Sequence, residues 1–187
     1  MKRVFIIHGW GGHPKEGWLA WLGKELESRG FEVHIPAMPD TDNPKIEAWV
    51  SCMKEQVGVP DENTYFVGHS IGCQAILRYV SSLSAPLGGM VLVAPFVHLP
   101  NIVEEEKEIA EPWLETPIDF QKARANGGKI VAIFSDNDKD APVEDTEIFK
   151  KELGAETIVE KSKGHFTEGD NVWELPSVLN AVLEISK

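Results

Sequence analysis

Six short apolar runs, most of them followed by an amphipathic segment, fix the class of fold this chain can reach. They are Val4–His8, Phe31–Ile35, Thr64–Val67, Met90–Val93, Lys129–Phe134 and Thr157–Val159. Runs of Val, Ile and Phe without polar alternation are strands buried on both faces, as parallel sheets require. Between them, Trp18, Leu19, Leu22 and Leu26 recur at helical spacing, with Gly30 placed as a C′ residue. Ile46, Trp49, Val50 and Met53 mark a second helical face, and Ile71–Ser82, Pro142–Leu153 and Leu175–Ile185 read as further helices. Strand–helix alternation predicts an α/β fold: a six-stranded, mostly parallel sheet with helices on both faces. Trp18, Trp21 and Trp49 fall at helical spacing and are expected in the core.

One interval breaks the rhythm. Phe96–Asn126 separates two strands by about thirty residues, which marks a small cap-like insertion. No repeat or second domain interrupts residues 1–187, so a single domain is expected. At 42% hydrophobic and 26% charged residues the chain has the composition of a globular protein. A chain of this length buries roughly 70% of its unfolded surface, which excludes disorder and a collagen-like fold. Cys52 and Cys73 follow no metal or disulfide spacing. The apolar run after Met1-Lys2-Arg3 stops at His8-Gly9, short of a signal sequence, and no stretch reaches membrane-spanning length. The expected location is cytoplasmic, with no membrane partner.

The formal charge is −12. Such an excess of acid argues against nucleic acid, whose phosphates are neutralised by Lys and Arg. Two stretches, 104–119 and 136–147, together account for 11 of those 12 charges.

Ligands of open α/β sheets bind beyond the carboxyl ends of the strands. After Thr64–Val67 comes Gly68-His69-Ser70-Ile71-Gly72, a G-x-S-x-G turn between strand and helix. Glycines on either side let the serine take a strained turn that puts its hydroxyl at a helix N-terminus. After the fifth run comes Ser135-Asp136-Asn137-Asp138-Lys139-Asp140-Ala141-Pro142, and after the sixth Lys163-Gly164-His165-Phe166. A serine needs a base, and the base needs an acceptor to hold its tautomer; Ser70, Asp138 and His165 supply these in the order Ser…Asp…His. The D-x-x-small-Pro setting favours Asp138, with Asp136 and Asp140 as alternatives.

Among the other histidines, His8 is expected to brace the loop after the first strand and His69 to sit beside the serine. His13, His34 and His98 lie in or near loops. Backbone N–H groups of Trp10 and Ile71 are placed to hold an oxyanion. The turn Gly9-Trp10-Gly11-Gly12 lacks the third spaced glycine of a dinucleotide site and any following Gly-Lys-Ser/Thr, so a phosphate site is not expected. His8, His69, Phe96, Trp113 and Phe166 are candidate pocket residues.

With these motifs the chain resembles the small single-domain serine hydrolases of the α/β-hydrolase superfamily. That group includes the retinoblastoma-binding serine hydrolase and YdeN-type proteins. The resemblance rests on Phe5–Gly12, Val67–Gly72, Val93-Ala94-Pro95-Phe96, Ser135–Asp138 and Gly164-His165-Phe166. It implies a reduced, six-stranded hydrolase sheet with a small cap, no metal and no cofactor. It also implies nucleophile, acid and base at Ser70, Asp138 and His165. The L-x-C-x-E motif tied to retinoblastoma-protein binding is absent, so no such partner follows.

The chemistry expected is acyl transfer to water from a small-molecule substrate, with esters first and amides or thioesters second. A non-catalytic binding protein on the same fold is the alternative from another class. Both acidic stretches follow strands and so face the serine. They are expected to favour neutral or cationic substrates and to raise the His165 pKa.

Overall fold

The strands that lack polar alternation are the ones with both faces covered. The computed structural model describes residues 1–187. In it β1 (Arg3–Ile7), β3 (Thr64–His69), β4 (Gly89–Val93) and β5 (Lys129–Ser135) are buried along nearly their whole length. The shorter β2 (Glu32–His34) and β6 (Glu156–Glu160) are only partly buried and form the two edges. The sheet has the order β2-β1-β3-β4-β5-β6, and every pair is parallel.

Parallel neighbours need crossovers, and helices supply them. On one face α1 (Gly17–Glu27) packs beside α7 (Pro176–Ile185). On the other, α2 (Ile46–Val57) and α3 (Ile71–Ser81) lie side by side. The 96–126 connection holds two helices of different placement. From Phe96 to Glu106 the chain lines the cleft described below, and α4 (Glu104–Glu115) begins there. The second helix, α5 (Phe120–Asn126), packs on α3 as the β4-to-β5 crossover.

The segment expected as one helix over Pro142–Leu153 is in three parts. A 3-10 turn, Val143–Asp145, leads into α6 (Thr146–Ile148) and then a π turn, Phe149–Leu153. The wider final turn buries both Phe149 and Leu153 and closes on Gly154 at φ 66°. A single cluster of 48 buried residues extends from Val4 to Ile185 and includes Trp18 and Trp49; Trp21 is partly buried against it. Strand order reverses direction between β1 and β3, where open sheets place their ligands. No helix is long and apolar enough to cross a membrane.

Candidate active site

Ser70 sits between β3 and α3 with φ 53° and ψ −121°, a conformation that side chains other than glycine rarely hold. Its neighbours make the turn possible. A Cβ on Gly72 would lie 2.5 Å from the Ile7 carbonyl oxygen and 2.6 Å from that of His8. A Cβ on Gly68 would lie 2.7 Å from Ile76 Cδ1 and 2.9 Å from the Cys73 nitrogen. Both glycines are therefore required by close approach, one to β1 and the other to α3.

Ser70 Oγ lies 2.8 Å from His165 Nε2. On the far side of the ring, His165 Nδ1 faces Asp138 Oδ2 at 2.8 Å and Oδ1 at 3.1 Å. The carboxylate only accepts, so it selects the Nδ1–H tautomer and leaves Nε2 free to accept from Ser70. Asp138 Oδ1 also takes the amides of Asp140 (2.9 Å) and Ala141 (3.0 Å), and the side chain is fully buried.

The alternatives separate here. Asp136 Oδ1 accepts from the Ser162 amide at 2.8 Å, and Asp140 lines the cleft without a hydrogen bond to the ring. Asp138, Asp140 and His165 offer ligand-type atoms within 4.8 Å of one another. However, the Asp138 oxygens are already engaged by the ring and by loop amides.

Four consecutive residues, from the last of β5 onward, hold the four at 162–165 beyond β6. Ser135 Oγ accepts the Lys163 amide (3.0 Å), Asp136 the Ser162 amide, and Asn137 Oδ1 the Gly164 amide (2.9 Å). Asp138 then takes the His165 ring. From the other side, Asp170 Oδ2 accepts the His165 amide, while Trp18 Nε1 donates to the Phe166 carbonyl (3.0 Å). Glu168 Oε1 takes the Gly17 amide (2.7 Å) at the start of α1. Reading the sequence missed Asn137, Asp170 and Glu168. A signal did exist in the Thr167-x-x-Asp170 spacing, which is that of a side-chain-closed turn.

Burial pulls the His165 pKa down, but the hydrogen bond and charge of Asp138, with Asp140 and Asp170 adding, overcome it and hold it above the ordinary imidazole value. His69 behaves in the opposite way. Desolvation, with the neighbouring His165 adding, lowers it to about 3, so it is neutral and its Nε2–H donates to the His165 carbonyl at 2.8 Å. His8 is also lowered by burial. It receives the Met38 amide on Nε2 (3.1 Å), so Nδ1 carries the proton and donates to Gly9 O (2.9 Å). These two bonds tie Gly9, at the start of the loop after β1, to Met38.

A cleft of about 300 Å³ opens over Ser70. Trp10 and Ile71 line it, and Ile71 is the first residue of α3, where a helix leaves its amides without internal partners. A Cβ on Gly9 would come within 3.5 Å of Ser70 Cβ, which shows how closely that loop approaches the serine.

Of the aromatic and histidine candidates, His69 and Phe96 line the cleft. His8, Trp113 and Phe166 do not: all three are fully buried behind it. Trp113 turns inward because its Nε1 donates to Pro44 O (2.9 Å) and its ring packs against Trp49 and Arg78. Phe166 points into the core from a positive φ of 58°. Elsewhere, His34 stacks on Phe5 and His98 pairs with Asp145.

A family model described as serine hydrolase matches residues 4–184. The chain belongs to the serine hydrolase family. Among similar proteins, the hydrolase YdeN of Bacillus subtilis is 30% identical over 97% of this chain and 94% of its own. The serine hydrolase RBBP9 of Rattus norvegicus is 27% identical over 97% and 95%. The crystal structure of the B. subtilis ydeN product superposes with a TM-score of 0.91, covering 99% of this chain and 98% of that one. A structure from a study of carboxylesterases of Nitrososphaera gargenis has a TM-score of 0.74, with 99% and 90% covered. At 15% identity that likeness is one of fold. The reduced α/β-hydrolase sheet of this serine hydrolase is thus common to proteins of very different sequence.

Proposed function

We propose that this serine hydrolase cleaves small acyl esters through a covalent acyl-enzyme, with Ser70 as nucleophile, His165 as base and Asp138 as its orienting acid. The observation that carries the reading is the unbroken line from Ser70 Oγ to His165 Nε2 and from His165 Nδ1 to Asp138, at 2.8 Å for each step. As Ser70 Oγ attacks the ester carbonyl carbon, its proton moves to His165 Nε2 and the carbonyl oxygen becomes an oxyanion. The amides of Trp10 and Ile71 hold that oxygen. Asp138 stabilises the imidazolium, which then protonates the departing alkoxide as the C–O bond breaks. Water, deprotonated by the same nitrogen, attacks the acyl-serine; the bond from acyl carbon to Ser70 Oγ breaks, the imidazolium returns its proton to Oγ, and the acid leaves.

Cleft size and charge narrow the substrate. A volume of about 300 Å³ suits a small acyl group. Glu16, Glu106 and Asp140 line the same cleft, which favours neutral or cationic esters over anionic ones. Amides and thioesters are the second substrate class of the same machinery. The two free thiols, Cys52 and Cys73, support a reducing compartment such as the cytoplasm.

The test is a fluorophosphonate probe combined with a panel of chromogenic esters. The expected result is labelling of the native protein at Ser70, ester turnover, and loss of both in Ser70→Ala. Absence of labelling together with absence of turnover would overturn the reading in favour of a binding protein on a hydrolase fold.

A further inference from the structure

One wall of the cleft is made by the chain leaving β4, through Phe96, Leu99 and Ile102. The stretch from Ala94 to Val103 is in neither helix nor strand, so its shape depends on what it is tied to. Gln74 Nε2 donates to the Phe96 carbonyl (2.8 Å), and the Asn101 amide group donates to Lys139 O. The strongest tie is Asp145. Its Oδ2 accepts the amides of Val97 (2.7 Å) and His98 (3.1 Å), and its Oδ1 faces His98 Nδ1 at 2.6 Å.

Asp145 is 2% exposed, whereas the His98 side chain is 65% exposed. A buried carboxylate is costly unless its lone pairs are met. Here the donors that meet them all come from residues 97 and 98. Two successive amides held by one carboxylate fix the peptide planes on either side of Val97, and with them the direction in which Leu99 and Ile102 leave. Asp145 also ends the 3-10 turn that follows the loop of Asp138. The cleft wall is therefore referenced to the same stretch of chain that carries the acid.

We infer that Asp145 is a positioning residue for the acyl-binding wall: it sets where Phe96, Leu99 and Ile102 stand, and thereby which acyl lengths bind, without touching the substrate. This rests on Ser70 being the residue that is acylated. On this inference an acetyl group is too short for its binding to depend on the wall, whereas the binding of a hexanoyl group depends on it.

The experiment compares p-nitrophenyl acetate, butyrate and hexanoate in native enzyme, Asp145→Ala and His98→Ala. Alanine at 145 removes the acceptor and leaves the Val97 and His98 amides unmet. Expected for Asp145→Ala is a KM for hexanoate raised about tenfold or more, with kcat and the acetate KM within about threefold of native. His98→Ala, which leaves both amide bonds in place, shifts the same ratio less. Hydrogen exchange gives a second readout: the Val97 and His98 amides exchange about tenfold faster or more in Asp145→Ala, while those around Ser70 do not change.

Equal losses at every chain length, or an unchanged chain-length profile, would overturn the inference. If Asp145→Ala does not fold, Asp145→Glu, which keeps the charge but displaces the carboxylate from the two amides, is read by the same hexanoate-to-acetate KM ratio and by exchange at Val97 and His98, an unchanged ratio overturning the inference. Failure of native enzyme to cleave any ester or to label at Ser70 would sink the hydrolytic reading instead, with the exchange experiment still reporting on the latch.

Discussion

Asp170 Oδ2 accepts the backbone N–H of His165 at 3.0 Å and also takes the Thr167 amide (3.1 Å) and hydroxyl (2.7 Å). One carboxylate thus closes the turn that presents His165. It also adds negative charge beside the imidazole, after the larger effects of burial and of Asp138. Its own pKa is lowered, because these hydrogen bonds outweigh its desolvation, so it stays ionised through the working range.

Replacing Asp170 with Asn should separate its two roles. As the proposed base His165 acts when neutral, and its pKa is held above the ordinary value, so activity is expected to rise with pH through that raised value. Removing the charge lowers the His165 pKa and moves the onset of kcat/KM to lower pH. Loosening the turn costs on the order of tenfold to a hundredfold in kcat/KM at the plateau. A pH–rate profile of native and Asp170→Asn enzyme on one ester checks both. An unmoved acidic limb would show that the charge at 170 is not felt at the ring.

Which parts of this site can be read from sequence depends on how local their causes are. The elbow is legible because its requirements lie within five residues: Gly68 and Gly72 must lack a Cβ, and Ser70 must hold a positive φ. The parallel sheet is legible because burial on both faces removes polar alternation from β3 and β4. The ladder from Ser135, Asp136 and Asn137 to residues 162–164 is not, since its partners stand 26 to 28 positions apart and meet only when β5 and β6 pair. Trp113 and Phe166 mislead for a related reason. An aromatic near a strand end can face the cleft or the core, and their inward turns are set by remote partners, Pro44 for the first and Trp18 for the second. The expected rise of the His165 pKa is present, with the cleft residue Asp140 contributing behind Asp138.

The strain at Ser70 should be measurable as stability. A non-glycine residue in such a conformation costs about 1–3 kcal/mol, and glycine escapes most of it. Glycine's extra freedom in the unfolded chain takes back about 0.4–1 kcal/mol. Ser70→Gly should therefore be more stable than Ser70→Ala by about 1 kcal/mol in urea denaturation, both being inactive. Equal midpoints would mean that the turn is relaxed.

His69 makes the fold sensitive to acid. Its value of about 3 in the folded protein stands against 6.5 for a free imidazole, so below pH 6.5 the unfolded chain takes up a proton that the folded one refuses. The stabilising contribution is complete above pH 6.5 and is lost as pH falls toward 3, at up to about 1.4 kcal/mol per pH unit. His8, lowered by burial, adds in the same direction; His165, raised, acts in the opposite one, stabilising at low pH. Denaturant titrations from pH 7 to pH 4 should show His69→Gln, which keeps a donor for the His165 carbonyl, with a flatter decline than the native protein. Parallel declines would mean that His69 is already charged in the folded state.

Gly72 offers the sharpest test of how the elbow is packed. An added methyl would meet the carbonyl oxygens of Ile7 and His8 at 2.5 and 2.6 Å, and both belong to backbone at the end of β1 that cannot swing aside. Relief requires α3 to move off the sheet, and overpacking of this kind costs about 3 kcal/mol. In a chain of this size that is a fall of about 6–12 °C in Tm. The same movement draws the Ile71 amide away from the Trp10 loop, so Gly72→Ala should lose ester turnover well below the folded temperature limit. Gly30→Ala is the control: its φ of 84° carries backbone strain, but nothing lies within 4 Å of the added carbon. It should cost about 1 kcal/mol and leave turnover intact. If the two variants were equally stable and equally active, close approach of α3 to β1 would not be what demands the second glycine of the elbow.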